Sequence, residues 1–383
     1  MDPFAKLPVE IIWQILESCD FAGLDGLQQV SPRVEQAFNS SFKRITESVL
    51  RNCSHTSQGL HGYFTLLASI QSTLFTPETL LTELTSLSEN TKQVLSRNTG
   101  RDISLSTHSL AAVRYTISTA AKIHFLACAC SQCLLTRLES AKPRLPKGSY
   151  TELEKWIYKK GPPPPQGGEV FQFKIDPLSW IESYRIHRSL WTLELFHQIH
   201  DTAINRWLWS TYELDYFIKG YLEWLNYRQE LETVSECIVD LCSSKPPILN
   251  PQAPFLIAIP PPKLTLPTWP LPVVEDTSVN WGRSPNSALC TNPVRPYFNM
   301  LRSGKKGLSW HPLWQLDFQV FRRLGLPLWD RWRLYQMQLI PQSRQVLSPQ
   351  GTLVGGQAET RPSWINASYV WFSFANVEQN KST

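Results

Sequence analysis

Charge is scarce in this chain: 18% of its 383 residues are Asp, Glu, Lys or Arg, and the formal net charge is +5. The cations are scattered, with no block longer than pairs such as Arg322-Arg323 and Lys305-Lys306. Without a basic stripe to track a phosphate backbone, nucleic acid is not an expected partner. Long apolar runs are missing too. Charge or proline interrupts each of them before the roughly 18 residues a membrane-crossing helix needs, so none is expected. The glycines never assemble into a phosphate-cradling loop: there is no Gly-x-Gly-x-x-Gly after a strand, no Gly-x-Ser-x-Gly elbow, and Ser303-Gly304-Lys305-Lys306-Gly307 lacks the P-loop spacing. Nucleotide and serine-hydrolase chemistry therefore have no motif here, and no enzyme activity is expected. A secretory leader is not expected either, because acids interrupt the apolar residues that follow Lys6. The eight cysteines then read as reduced thiols, which points to cytoplasm or nucleus.

What is present is apolar and aromatic. Hydrophobic residues make up 42% of the chain, enough for a sizeable core, and the length suits a small module plus a larger body. The 15 tryptophans are mainly anchors for that core, since indole buries a large area and asks for one hydrogen-bond partner. An aromatic groove for a sugar or peptide would be sought at Trp281, Trp310 or Trp329. The 29 prolines cluster, and they delimit the helices.

Residues 7–38 carry the most specific spacing. Pro8 opens a helix with Ile12, Ile15, Leu16 and Cys19 at i, i+3, i+4 and i+7. Asp20 caps a second helix bearing Leu24 and Leu27, and Ser31-Pro32 caps a third, with Val34, Ala37, Phe38, Phe42, Ile45 and Val49 on one side. So small a unit cannot bury enough surface by itself, so part of its apolar stripe must meet a partner or the rest of the chain. In Leu7-Pro8-Val9-Glu10-Ile11, Ile15-Leu16, Asp20, Leu24, Leu27 and Val30-Ser31 the stretch resembles the F-box.

Beyond it, residues 63–340 read as a helical body. Helical spacing recurs from Leu66 to Leu74, after Thr76-Pro77, from Ser104 to Leu138, from a cap at Asp176-Pro177 to Ser210, and from Glu213 to Cys242. The helix after Asp176 carries apolar residues round most of its circumference and should lie centrally. Two proline-rich loops interrupt the body, at 141–177 and 243–306. A compact element returns after Gly307, and 341–383 is an irregular tail in which residues 369–372 could form a short strand. Residues 185–191 and 318–334, including Arg185, Arg188, Trp191, Phe321, Leu324-Gly325 and Trp329-Asp330, look like the helical regions that follow the F-box in fungal F-box proteins.

The fold expected is thus mainly α, an F-box-like three-helix module at 1–50 followed by an irregular helical domain with long proline-rich loops. The resemblance implies a substrate receptor. Leu7, Pro8, Ile12, Ile15, Leu16, Leu24, Leu27 and Val30 would dock on the Skp-type adaptor of a cullin-RING ubiquitin ligase, while the body holds an unknown protein target. The alternative is a stand-alone interaction scaffold whose first helices pack on its own body. Burial of Ile12, Ile15, Leu16 and Leu24 by residues beyond 60 would favour it.

No cofactor is expected. Glu194-x-x-His197-x-x-His200-Asp201 has ligand-like spacing but lacks a second such motif on a facing helix. Cys128, Cys130 and Cys133 lack a fourth ligand and sit at helical positions that point apart. Glu230 and Glu232 are expected on a solvated helix face.

Overall fold

The computed structural model describes residues 2–53, 59–74, 105–143, 175–224, 227–242 and 318–337, with isolated positions between them (56, 76, 77, 79, 80, 83, 170, 173 and 339). The fold is mainly helical, and no strand occurs among the described residues. The expected strand at 369–372, most of the two proline-rich loops, Trp281, Trp310 and the 341–383 tail lie outside them. The helices are α1 (Val9–Ser18), α2 (Phe21–Val30), α3 (Pro32–Asn52), α4 (His61–Gln71), α5 (Leu110–Ser140), α6 (Trp180–Asn205), α7 (Thr211–Trp224), α8 (Arg228–Cys242), α9 (Phe318–Arg323) and α10 (Arg331–Gln336). None of the described helices is long and apolar enough to cross a membrane.

The chain divides into two compact units. The first comprises Met1–Cys130 and Tyr184–Pro270, and the second Ser131–Ser183 and Leu271–Thr383. In the first unit the core is an aromatic ladder. Phe64 of α4 is fully buried, stacked on Phe21 of α2 with ring centroids 5.4 Å apart and tilted against Trp191 of α6 at 6.2 Å. Truncating such a ring typically costs about 3–5 kcal/mol, counting the cavity it leaves. Helix α4 is buried on most of its circumference, through Tyr63, Phe64, Leu66, Leu67 and Ile70. The Tyr63 and Tyr227 hydroxyls share a hydrogen bond of 2.8 Å, which ties α4 to the start of α8.

Helix α6 is central, as its all-round apolar character requires, with residues from Ile181 to Phe196 almost continuously buried. It starts later than Asp176-Pro177 suggests. Ser179 and Glu182 form a reciprocal capping pair, the Ser179 amide donating to Glu182 Oε2 (2.9 Å) and the Glu182 amide to Ser179 Oγ (3.4 Å). The single helix expected from Glu213 to Cys242 is two, α7 and α8. Tyr227 lies at the join with its hydroxyl bonded to Tyr63 and Thr192.

In the second unit, α9 ends at Gly325. Its φ of +73° closes a terminus in which the Leu326 amide bonds the Phe321 carbonyl (3.1 Å) and the Gly325 amide bonds that of Arg322 (2.8 Å). The reversal folds Trp329 back over the turn, where its Nε1 donates to the Leu324 carbonyl (2.8 Å). Trp329 is fully buried, so it is a core anchor and not the exposed groove aromatic considered above.

Candidate functional site

The N-terminal helices begin where their caps dictate. Pro8 precedes α1, Asp20 Oδ1 accepts the Gly23 amide (2.7 Å) to start α2, and Ser31 Oγ accepts the Val34 amide (3.2 Å) to start α3 with Pro32 at its first position. Ser31 also donates to Asp2 (2.8 Å), and that bond holds the Asp2 carboxyl below the usual carboxylate range.

Helices α1 and α3 lie side by side and run in the same direction. Arg33 reaches the Leu7 carbonyl (2.6 Å), Trp13 Nε1 donates to the Ala37 carbonyl (3.0 Å), and Arg44 pairs with Glu17 (2.9 Å) while its guanidinium lies 4.8 Å from the Trp13 ring. Near its midpoint α3 bends at Ser41, where the backbone leaves helical geometry. Ile12 and Leu16, one turn apart on α1, are fully buried, as are Val34, Phe38, Ile45 and Val49 of α3.

The eight residues expected to meet an adaptor therefore separate. Ile12, Leu16 and Leu24 have no exposed surface and belong to the chain's own core. Leu7, Ile15 and Leu27 are half-buried, whereas Pro8 and Val30 are exposed, Val30 at 67%. Ile11, absent from the expected set, is 40% exposed. Pro8, Ile11 and Ile15 stand at i, i+3 and i+7 and share one side of α1, about 100° round from the line that buries Ile12. Reading the apolar stripe as a single face conflated two adjacent lines, one filled by α3 and one open.

Other faces of the same helices meet the rest of the first unit. Phe21 stacks on Phe64, and Arg114 of α5 donates to Glu35 and Asn39 of α3 at 2.7 Å each. Lys43 reaches the Ser106 carbonyl (2.5 Å), and Glu47 accepts the Leu105 amide (2.9 Å). On α2, burial pushes the Asp25 carboxyl up, while Lys122 and bonds from Gln29 and Ser118 oppose the shift. Apart from the Gln29–Asp25 bond, one turn apart on α2, these ties were not legible beforehand, because each joins positions far apart in sequence.

Glu230 and Glu232 are buried, not solvated as expected: Arg188 of α6 donates to Glu230, and Arg228 donates to Glu232 (2.7 Å). Glu194 accepts from Gln198 (2.9 Å), whose amide also meets the Tyr115 hydroxyl (2.7 Å). Among the described residues no group of three His, Cys, Asp or Glu side chains is arranged to hold a metal ion. Cys128 and Cys130 are buried, and the Cys130 carbonyl faces the Cys237 thiol at 3.9 Å.

The residues that carry the second resemblance are largely interior. Arg185, Ile186, Leu190, Trp191, Phe321, Leu324, Leu328, Trp329, Asp330 and Arg333 are all buried. Their spacing records packing and not a contact surface. Compared with protein-family models, curated proteins and solved structures, the chain matches none.

Proposed function

We propose that the chain is an F-box-like substrate receptor that docks on a Skp-type adaptor through the outer line of α1 and the end of α2. The observation that carries the reading is the open line itself. Pro8, Ile11 and Ile15, with Val30 on α2, present apolar surface on helices whose inner line is already filled. An apolar line that remains open on a small helical module is the usual mark of a partner site. The adaptor would bring a target, held elsewhere on the chain, close to a ubiquitin-charged enzyme, and proximity would supply the rate.

A purified Skp-type adaptor titrated with the full-length chain tests this. Wild type binds, and Ile11→Asp combined with Val30→Asp weakens binding by about tenfold or more, with the helical circular-dichroism signal unchanged. Equal binding by the double variant, or no binding by wild type, overturns the proposal. Leu16→Asp and deletion of residues 1–60 are unsuitable, because Leu16 is core and the deletion would strip Phe21 from Phe64.

The second reading is a stand-alone scaffold, and a specific observation favours it: Phe21, Glu35, Asn39, Lys43 and Glu47 all engage residues beyond 60. The same titration separates the two.

A further inference from the structure

Helices α5 and α6 meet through two imidazoles. His124 Nδ1 and His187 Nε2 face each other at 3.4 Å, with ring centroids 5.7 Å apart and planes inclined by 33°. His187 is buried and His124 half-buried. The contact holds one proton, since one facing nitrogen must donate and the other accept. A proton added to either ring fixes which of the two donates. Protons on both would set two N–H groups against each other and break the bond.

The pair lies where the N-terminal helices join the rest of the first unit. Along the adjoining α2, Asp25 meets Ser118 and Lys122 of α5, and Asp20, the cap of α2, acts on His124. His187 stands one turn before Trp191, the α6 end of the aromatic ladder that runs through Phe64 to Phe21 of α2. A charge placed on His124 is therefore felt along that seam.

The groups around the pair leave little to welcome such a charge. On α2, Asp20 is the charged group among the described residues that acts on His124, and its Oδ1 already accepts the Gly23 amide (2.7 Å). On α5, Lys122 is set against Asp25, and the next side chain after His124 is the ring of Phe125, 6.3 Å away. On α6, Arg188 donates to Glu230, and Arg185 lies 3.8 Å from the same carboxylate. Burial outweighs the attraction of Asp20 and holds His124 below the usual imidazole value of 6.5. The fold thus prefers the neutral ring. Its contribution to stability is complete above 6.5 and is lost as pH falls below that value.

We propose that the His124–His187 contact is an acid-sensitive latch that seats α2 on α5 and α6. It stands independently of adaptor binding. The test compares the full wild-type chain with His124→Asn, whose side-chain amide takes the place of Nδ1 and does not titrate. Hydrogen–deuterium exchange over α2 and residues 118–128 is followed at about pH 7.5 and about pH 5.5, and one proton of linkage changes the opening constant by up to about tenfold per pH unit. The two proteins are equally protected at the higher pH, and at the lower pH wild type exchanges faster than the variant by up to that factor. Equal protection at both values, slower exchange of wild type in acid, or a difference of the same size at both values overturns the latch, the last because it marks a contact with no pH dependence. A second measurement is independent of the variant's stability: in histidine-labelled wild type, the His124 ring resonance, identified by its loss from the variant, titrates below 6.5. Titration at or above that value overturns the proposal as well.

Discussion

Each compact unit buries a small ionic cluster, and the two have opposite imbalance. In the first unit one carboxylate, Glu230, serves two guanidiniums: Arg188 donates to it directly and Arg185 lies 3.8 Å away. In the second, one guanidinium serves two carboxylates. Arg333 grips Glu182 through Nε (2.7 Å) and Nη2 (2.8 Å), and Asp330 lies beside them. The excess charge is relieved differently. The guanidinium bonded to Glu230 also rests on aromatic faces, with Arg188 at 4.0 Å from the Tyr227 ring and 5.7 Å from Tyr184. Burial works against the charged Arg188, but Glu230, Tyr184 and Tyr227 outweigh it and raise its pKa. A carboxylate has no such recourse to ring faces. Each of the two collects an amide, the Asp330 amide donating to Glu182 (3.0 Å) and the Arg333 amide to Asp330 (2.8 Å), and Asp330 holds its proton more tightly: burial and then Glu182 push it up to about 6, against the pull of Arg333. Aromatic faces thus support the paired guanidinium of the first unit, whereas in the second unit the second carboxylate is shifted toward its neutral form.

The sharpest break in this symmetry is Glu182→Ala. It leaves Arg333 buried without its carboxylate and frees the amides of Ser179 and Asp330, at a cost of about 3–5 kcal/mol in a urea titration. Next comes Asp330→Asn. Because folding raises this carboxyl from 3.8 to about 6, the folded state binds the proton more tightly. The stabilisation is fully present below about 4 and is lost as pH rises through about 6. Unfolding followed across that window should show this loss in wild type and a flatter profile in Asp330→Asn, whose side chain still caps α10. A profile of equal slope in both refutes the assignment. The smallest effect is Tyr227→Phe, which keeps the ring under Arg188 but loses the bonds to Tyr63 and Thr192, and should destabilise by about 1 kcal/mol. Tyr227→Leu loses the ring face too and should be worse by roughly another 1 kcal/mol.

These clusters mark the limit of what spacing reveals. The caps at Asp20 and Ser31 were legible because a cap and its amide lie three residues apart. The central character of α6 was legible from its all-round apolar pattern. Glu230 was not, since its partner Arg188 lies 42 residues away on another helix. Within the docking candidates, spacing found the apolar line of α1 but could not say which of Ile11 and Ile12 faces α3, because a 100° rotation separates neighbours and both are isoleucine.

Gly325 combines two independent constraints, a left-handed backbone and a missing methyl: a Cβ there would stand 2.7 Å from the Trp329 ring. Every missense change at that codon adds a Cβ, so no amino-acid replacement is conservative. Gly325 therefore has no neutral mutational neighbour, and drift at this position would have to move Trp329, and the core around it, in the same step.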